Sequence, residues 1–291
     1  MHRRPTIALA APALALALVL AACGSSTNDD TKTTSKDTAS SCAVKDLATV
    51  KAGTLTVGTD DPAYEPWFQD DKPANGKGYE SAVAYAVAKQ LGFAKGDVTW
   101  TKVPFNNAFA PGKKKFDFDI NQVSISADRA KTVDFSDGYY DVNQAVVAYK
   151  DSKASGAKTV ADLKGLKFGA QVGTTSLDFI NDVIKPGTKP FVYNDNNAAK
   201  AALDAKQVDA IVLDLPTAIY VSAAEIEGTE VIGQFPSTGD KPEQFGMVFQ
   251  KGSSLTSCVD QALAAITKSG ELAQIKDEYL SDAIAPEIAL K

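Results

Sequence analysis

Val208-Asp209-Ala210-Ile211-Val212-Leu213-Asp214-Leu215-Pro216 passes from one kind of backbone to another within a few residues. Residues 208–213 are largely apolar and β-branched, as in a strand buried on both faces. Asp214 ends that run. Pro216 is suited to the first turn of a helix, which residues 216–224 continue. A strand that turns at once into a helix is the repeating unit of an α/β fold.

The same unit recurs on either side. Residues 166–171 read as a strand before a helix at 176–184, and 190–193 as a strand before an Ala-rich helix at 198–205. Upstream, a short strand at 55–58 precedes an amphipathic helix carrying Tyr79, Val83, Val87 and Leu91, with Gly92 as its stop. Further strands are expected at 98–100, 118–123 and 144–149, the last continuous and apolar. Residues 245–249 make one more, followed by two helices bearing Leu255, Val259, Leu263 and Ile266, then Leu272, Ile275 and Tyr279. The alternation pauses after Tyr149 and restarts. The expected fold is therefore α/β in two lobes with mostly parallel sheets and two connecting hinge strands. Lobe one takes 44–147 plus 246–291, and lobe two takes 148–245. Ligands of such sheets sit beyond the carboxyl ends of the strands, so a cleft between two lobes draws on both.

Composition narrows the function classes. The net charge is −6, and loss of Arg3 and Arg4 with a leader takes it to −8. An acidic chain suits neither nucleic acid nor an anionic membrane surface. One His and three Cys offer little for a transition metal, and there is no glycine-rich phosphate loop. No metal, nucleotide or other cofactor is expected.

The first residues read as a secretory signal: Arg3 and Arg4, an apolar stretch at 7–22, then small residues. That stretch is shorter than the roughly 20 residues of a spanning helix. Leu20-Ala21-Ala22-Cys23 resembles the bacterial lipobox. The expectation is a signal peptide at 1–22, a lipid on Cys23 and a polar tether at 23–43, holding the protein on the extracytoplasmic face of the membrane. Outside the membrane Cys42 and Cys258 suggest a disulfide, two free buried thiols being the alternative.

Candidate site residues lie just after strands. A zwitterion needs a bidentate cation or amide donors at one end and a carboxylate at the other. Arg129 is the one arginine beyond the leader, and its planar fork matches a carboxylate, though a surface turn would hold an arginine equally well. Asp214 ends a strand, but it also stands where a helix cap is wanted. Gly173-Thr174-Thr175-Ser176 joins a strand to a helix and could cradle an anionic oxygen or simply cap. Tyr64, Trp67 and Phe105 are loop aromatics, fit for a local core or a pocket wall. Asp60, Asp61 and Glu65 lie among the first two, either as a solvated edge or as a selector for a cation.

Four stretches, in order, resemble the periplasmic amino-acid-binding proteins of ABC transporters. They are Val57-Gly58-Thr59-Asp60 with Tyr64-Glu65-Pro66-Trp67; Val123-Ser124-Ile125-Ser126-Ala127-Asp128-Arg129 with Val133-Asp134-Phe135-Ser136; Asp162-Leu163-Lys164-Gly165 with Gln171-Val172-Gly173-Thr174-Thr175; and Val208-Asp209-Ala210 ending at Asp214. The resemblance implies that Arg129 clamps a ligand carboxylate, helped by Ser124 and the Thr174 and Thr175 amides. Asp214 then takes the ammonium, Tyr64 and Phe105 sandwich the ligand, and Asn121 and Gln122 form the cleft floor. It also implies hinges near Ala148 and Gly246, a monomer, and a membrane permease as partner. Departures cluster at the side-chain end: Gly78-Tyr79-Glu80 replaces the family's frequent Gly-Phe-Asp, Asp60-Asp61-Pro62 is one residue longer, and Asn121-Gln122 stands where small hydroxyl residues are common. Some relatives of this family dehydrate cyclic acids. That chemistry needs a tuned acid–base group; Glu80 and the Asp60-Asp61 pair are the only nearby candidates and no acid–base pair stands out among them, so no enzyme is expected. A ligand-sensing role would require a separate membrane partner.

Overall fold

The computed structural model describes residues 42–236 and 242–280. The expected signal segment, Cys23 and the tether up to Ser41 lie outside the described residues.

Among the described residues twelve strands follow in chain order: β1 (Leu55–Thr59), β2 (Val98–Lys102), β3 (Phe118–Asp119), β4 (Val133–Phe135), β5 (Tyr140–Val142), β6 (Gln144–Tyr149), β7 (Phe168–Gln171), β8 (Phe191–Tyr193), β9 (Ala210–Asp214), β10 (Thr229–Phe235), β11 (Glu243–Phe245) and β12 (Val248–Gln250). They form two five-stranded sheets. The first has the order β2-β1-β3-β12-β4 and the second β10-β6-β9-β7-β8, with β11 and β5 paired as a separate ladder.

The sheets are mixed rather than mostly parallel. Pairings of β1 with β2 and β3, and of β7 with β8 and β9, are parallel, whereas β12 and β6 run antiparallel to their neighbours. The antiparallel members come from the two places where the chain changes sheets. That change falls between Val142 and Gln144, not near Ala148, because all of β6 pairs within the second sheet, from Gln144 opposite Asp214 to Ala148 opposite Ala210. The return passes through β11, which pairs with β5 from Glu243 opposite Val142 to Phe245 opposite Tyr140.

Local chemistry explains the elements that frame the cleft. The helix Tyr79–Gln90 starts from Gly78 at φ 90°, where a Cβ would lie 2.5 Å from the Trp67 carbonyl oxygen. Only glycine fits there. Trp67 is fully buried against Tyr79, Tyr140 and Phe245 in edge-on contacts. It is a core plug, and its truncation to Ala is expected to cost about 3–5 kcal/mol. Cys42 is joined to Cys258, Cα to Cα 5.5 Å, fastening the start of the folded chain to the helix Thr256–Ser269.

The decisive feature for function is direction. β1 delivers Asp60, β3 delivers Asn121 and Gln122, β7 delivers residues 172–175, and β9 ends on Asp214. All leave the carboxyl ends of their strands, where these sheets place ligands.

Candidate binding site

One cavity between the two sheets collects these strand ends. From the first sheet's side it is lined by Asp60, Tyr64, Phe105, Asn121, Gln122 and Ser124. The second contributes Gln171, Thr174, Thr175, Ser176, Asn196, Leu213, Asp214 and Thr217. The cleft is closed in this structure. Trp67 Nε1 donates to Thr217 Oγ1 at 2.8 Å, the Ser124 and Thr175 hydroxyls meet at 3.4 Å, and Asn106 Nδ2 reaches the Val172 carbonyl at 3.4 Å. At Gly173, φ +76°, a Cβ would fall 2.1 Å from Asn106 Oδ1, so the approach of the two sides there also requires glycine.

Asp214 dominates the electrostatics. It stands at the start of the helix Leu215–Tyr220 but makes no side-chain cap. Its Oδ1 accepts from Gln144 Nε2 at 2.9 Å instead. Burial pushes its carboxyl up to about 8, with repulsion from Glu243 adding to the rise, while Gln144 and Arg129 oppose it. A desolvated carboxyl with one donor still has acceptor positions unfilled, and a cation is the partner that would satisfy them. Asp60 is also raised, again by burial first; its oxygens accept from the backbone N–H of Asp61 at 2.8 Å and of Phe105 at 3.3 Å. Asn121 Nδ2, at the floor, has no hydrogen-bond partner among the described residues.

Arg129 adjoins the cavity without lining it. Nη1 donates to the Ser124 carbonyl at 2.7 Å and Nη2 to the Gly173 carbonyl at 2.9 Å, so the guanidinium ties the two sides together at the rim. It lies over the rings of Phe109 and Phe105, at 4.5 and 5.7 Å. Burial lowers its pKa, and the carboxylates of Glu243, Asp178 and Asp214 oppose that fall. The Thr174 hydroxyl is spent as a helix cap, accepting from Leu177 N at 3.1 Å and donating to the Gln171 carbonyl at 2.8 Å.

Two expected participants lie elsewhere. Asp61 does not line the cavity; its carboxylate pairs on the surface with Lys102, the last residue of β2, which supplies its counter-charge there. Glu80, offered as an acid–base group, is wholly buried behind the floor. It accepts from the Gln122 backbone N–H at 2.7 Å, from the Gln122 side-chain amide and from the Tyr139 hydroxyl. Burial raises its pKa to about 7, against the pull of those donors. It holds Gln122 in a left-handed conformation, φ 49°.

Ser176 closes the Gly173-Thr174-Thr175-Ser176 turn already singled out from the sequence, whereas Gln171, Asn196, Leu213 and Thr217 were not anticipated as lining residues. Thr217 was within reach, one helical turn after Asp214. Gln171 and Ser176 flank the Gly173-Thr174-Thr175 turn. Asn196 carried only a weak signal, as the first residue of a helix capped by Asp195.

A family model described as bacterial extracellular solute-binding proteins, family 3, matches residues 55–282. The chain belongs to that family. This solute-binding protein is 29% identical to the L-cystine-binding protein TcyJ of Escherichia coli K12 over 232 residues, 78% of this chain and 82% of that one. Among solved structures it resembles an ancestral arginine-binding protein bound to arginine, with 32% identity and a TM-score of 0.67 over 79% of this chain and 99% of the other. It also resembles an ancestral amino-acid-binding protein described as a precursor of cyclohexadienyl dehydratase, with 29% identity and a TM-score of 0.65 over 79% and 96%.

Proposed function

We propose that this solute-binding protein captures a polar amino acid in the closed cleft and delivers it, as a monomer, to the permease of an ABC transporter. A lipid on Cys23, behind a cleaved signal peptide, would tether it to the extracytoplasmic face of the membrane. The observation that carries the reading is Asp214: a desolvated carboxyl at a strand end, uncapped, opposite Ser124 and within the field of Arg129. The ligand's ammonium takes Asp214. Its carboxylate takes the Ser124 and Thr175 hydroxyls, with Arg129 as the charge behind them. Its side chain extends toward Asp60, Tyr64, Asn121 and Asn196, where Asp60 favours a hydrogen-bond donor or a cation. Relatives named for cystine and arginine support this class. Closure turns on β5 and β11, the two strands that join the lobes.

We read the site as binding without turnover. Glu80, whose pKa would suit proton transfer, has its oxygens committed to Tyr139 and Gln122 and does not line the cavity. Appearance of product from prephenate or arogenate would overturn that.

The test of the clamp is Arg129→Ala, titrated calorimetrically with L-arginine, L-cystine and L-glutamine. Loss of a buried charge partner is expected to weaken binding by about a hundredfold or more. An unchanged affinity would remove Arg129 from the site.

A further inference from the structure

Glu243 opens β11, one of the two crossing strands, and its side chain reaches the carboxylate end of the cleft. Ser124 Oγ, a hydroxyl that lines the cavity, donates to Glu243 Oε1 at 2.6 Å. Gln144 Nε2 donates to Glu243 Oε2 at 3.2 Å and, on its other side, to Asp214 Oδ1 at 2.9 Å. Glu243 is also the strongest acidic influence on Arg129, ahead of Asp178 and Asp214. A side-chain carboxylate of the protein thus holds the donors that a ligand carboxylate needs: a hydroxyl, an amide and the field of a guanidinium. Backbone pairing of β11 with β5 does not require an acid at this position. The neighbouring Gln244 spends its amide on Asp141 on the same ladder.

We propose that Glu243 is a specificity-determining residue, a built-in occupant of the carboxylate end of the cleft that an incoming carboxylate displaces from Ser124. The inference rests on the amino-acid reading above. Two consequences follow from charge alone. With Glu243 in place Arg129 is already balanced, so a ligand carboxylate gains less from it. Asp60, Asp214 and Glu243 together oppose a ligand with a second carboxyl, which keeps acidic amino acids out.

Glu243→Gln removes the charge and keeps the size, and its carbonyl oxygen can still accept from Ser124. Titrated with L-arginine, the variant is expected to bind about tenfold tighter than the wild type, the worth of one hydrogen bond to a charged group. L-Argininamide, which has no carboxylate, is expected to change by less than about twofold. Equal or weaker binding of L-arginine overturns the proposal, as does an equal gain for both compounds. If L-arginine does not bind the wild type, L-cystine and L-glutamine are run against their carboxamides. Failure of all three to bind the wild type contradicts the amino-acid reading and leaves Glu243 to a ligand-free test. There, Glu243→Ala breaks the link from Ser124 to Gln144 and is expected to open the cleft, raising the radius of gyration in X-ray scattering. An unchanged radius would overturn the placement of Glu243 as occupant.

Discussion

Glu80 and Asp214 are both carboxyls taken out of water, and burial raises both, to about 7 and about 8. Their surroundings differ. Behind the floor, Glu80 accepts from two donors of Gln122 and from Tyr139, so both of its oxygens are hydrogen-bonded. In the cleft wall, Asp214 has a single side-chain donor among the described residues, Gln144, and faces the cavity. A shifted pKa alone therefore separates nothing. Hydrogen-bond partners together with access to the cavity do: Glu80 is bonded and sealed behind the floor, whereas Asp214 faces the cleft with room for the cation proposed above.

The sharpest way to break this contrast is Asp214→Asn. The ligand's ammonium loses its counter-charge, and affinity is expected to fall by about 3 kcal/mol, roughly a hundredfold or more, by calorimetry. Thermal stability should hold, since the amide replaces a carboxyl that is largely protonated at neutral pH and keeps an acceptor for Gln144. A fall in stability with intact binding would make Asp214 scaffold after all.

Glu80→Ala should do the reverse. It strands the Tyr139 hydroxyl and both Gln122 donors inside the first lobe. Denaturant unfolding is expected to show a loss of about 2–3 kcal/mol. Affinity should suffer less, through a looser Gln122. A variant of wild-type stability would mean that the network contributes nothing.

The pH dependence is the mildest probe. A carboxyl whose folded pKa lies above its unfolded value holds more protons folded than unfolded between the two. Stability of the free protein therefore falls as pH rises from about 4 toward the folded values of about 7 and about 8. Binding runs the other way. The ammonium needs the ionised form of Asp214, so affinity should rise with pH up to about 8, by at most about tenfold per unit. Asp214→Asn should flatten that slope, and a flat wild-type profile would contradict the assignment.

Much of this site was legible because strand ends are legible. An apolar run that stops at a polar residue before a helix marks where a side chain meets a cleft, as at Asp214 and at Thr174-Thr175. The limits were physical as well. Residues 118–123 read as one strand, and Ile120 and Val123 are indeed fully buried, yet pairing ends at Asp119 and Gln122 turns left-handed. Residues 245–249 read as one strand, but Gly246 donates to the Val123 carbonyl and divides β11 from β12. β10 was missed altogether. Its register shifts between Val231 and Gly233, and its partner β6 lies some eighty residues away in sequence, so no local pattern marks it. The roles of Gln144 and Glu243 likewise depend on strand pairing across long separations. Asp60 and Asp61 are chemically identical in sequence, and only the path of their loop sends one into the cleft and the other to Lys102.

The central claim is that the cleft holds an amino acid, and ligand-dependent thermal unfolding tests it most directly. Screened at about 1 mM against the common amino acids and L-cystine, the protein is predicted to gain about 8 °C or more in Tm with at least one of them, as mass action gives for a micromolar ligand. If no amino acid moved the transition while the protein unfolded cooperatively, the account of the cleft would be contradicted.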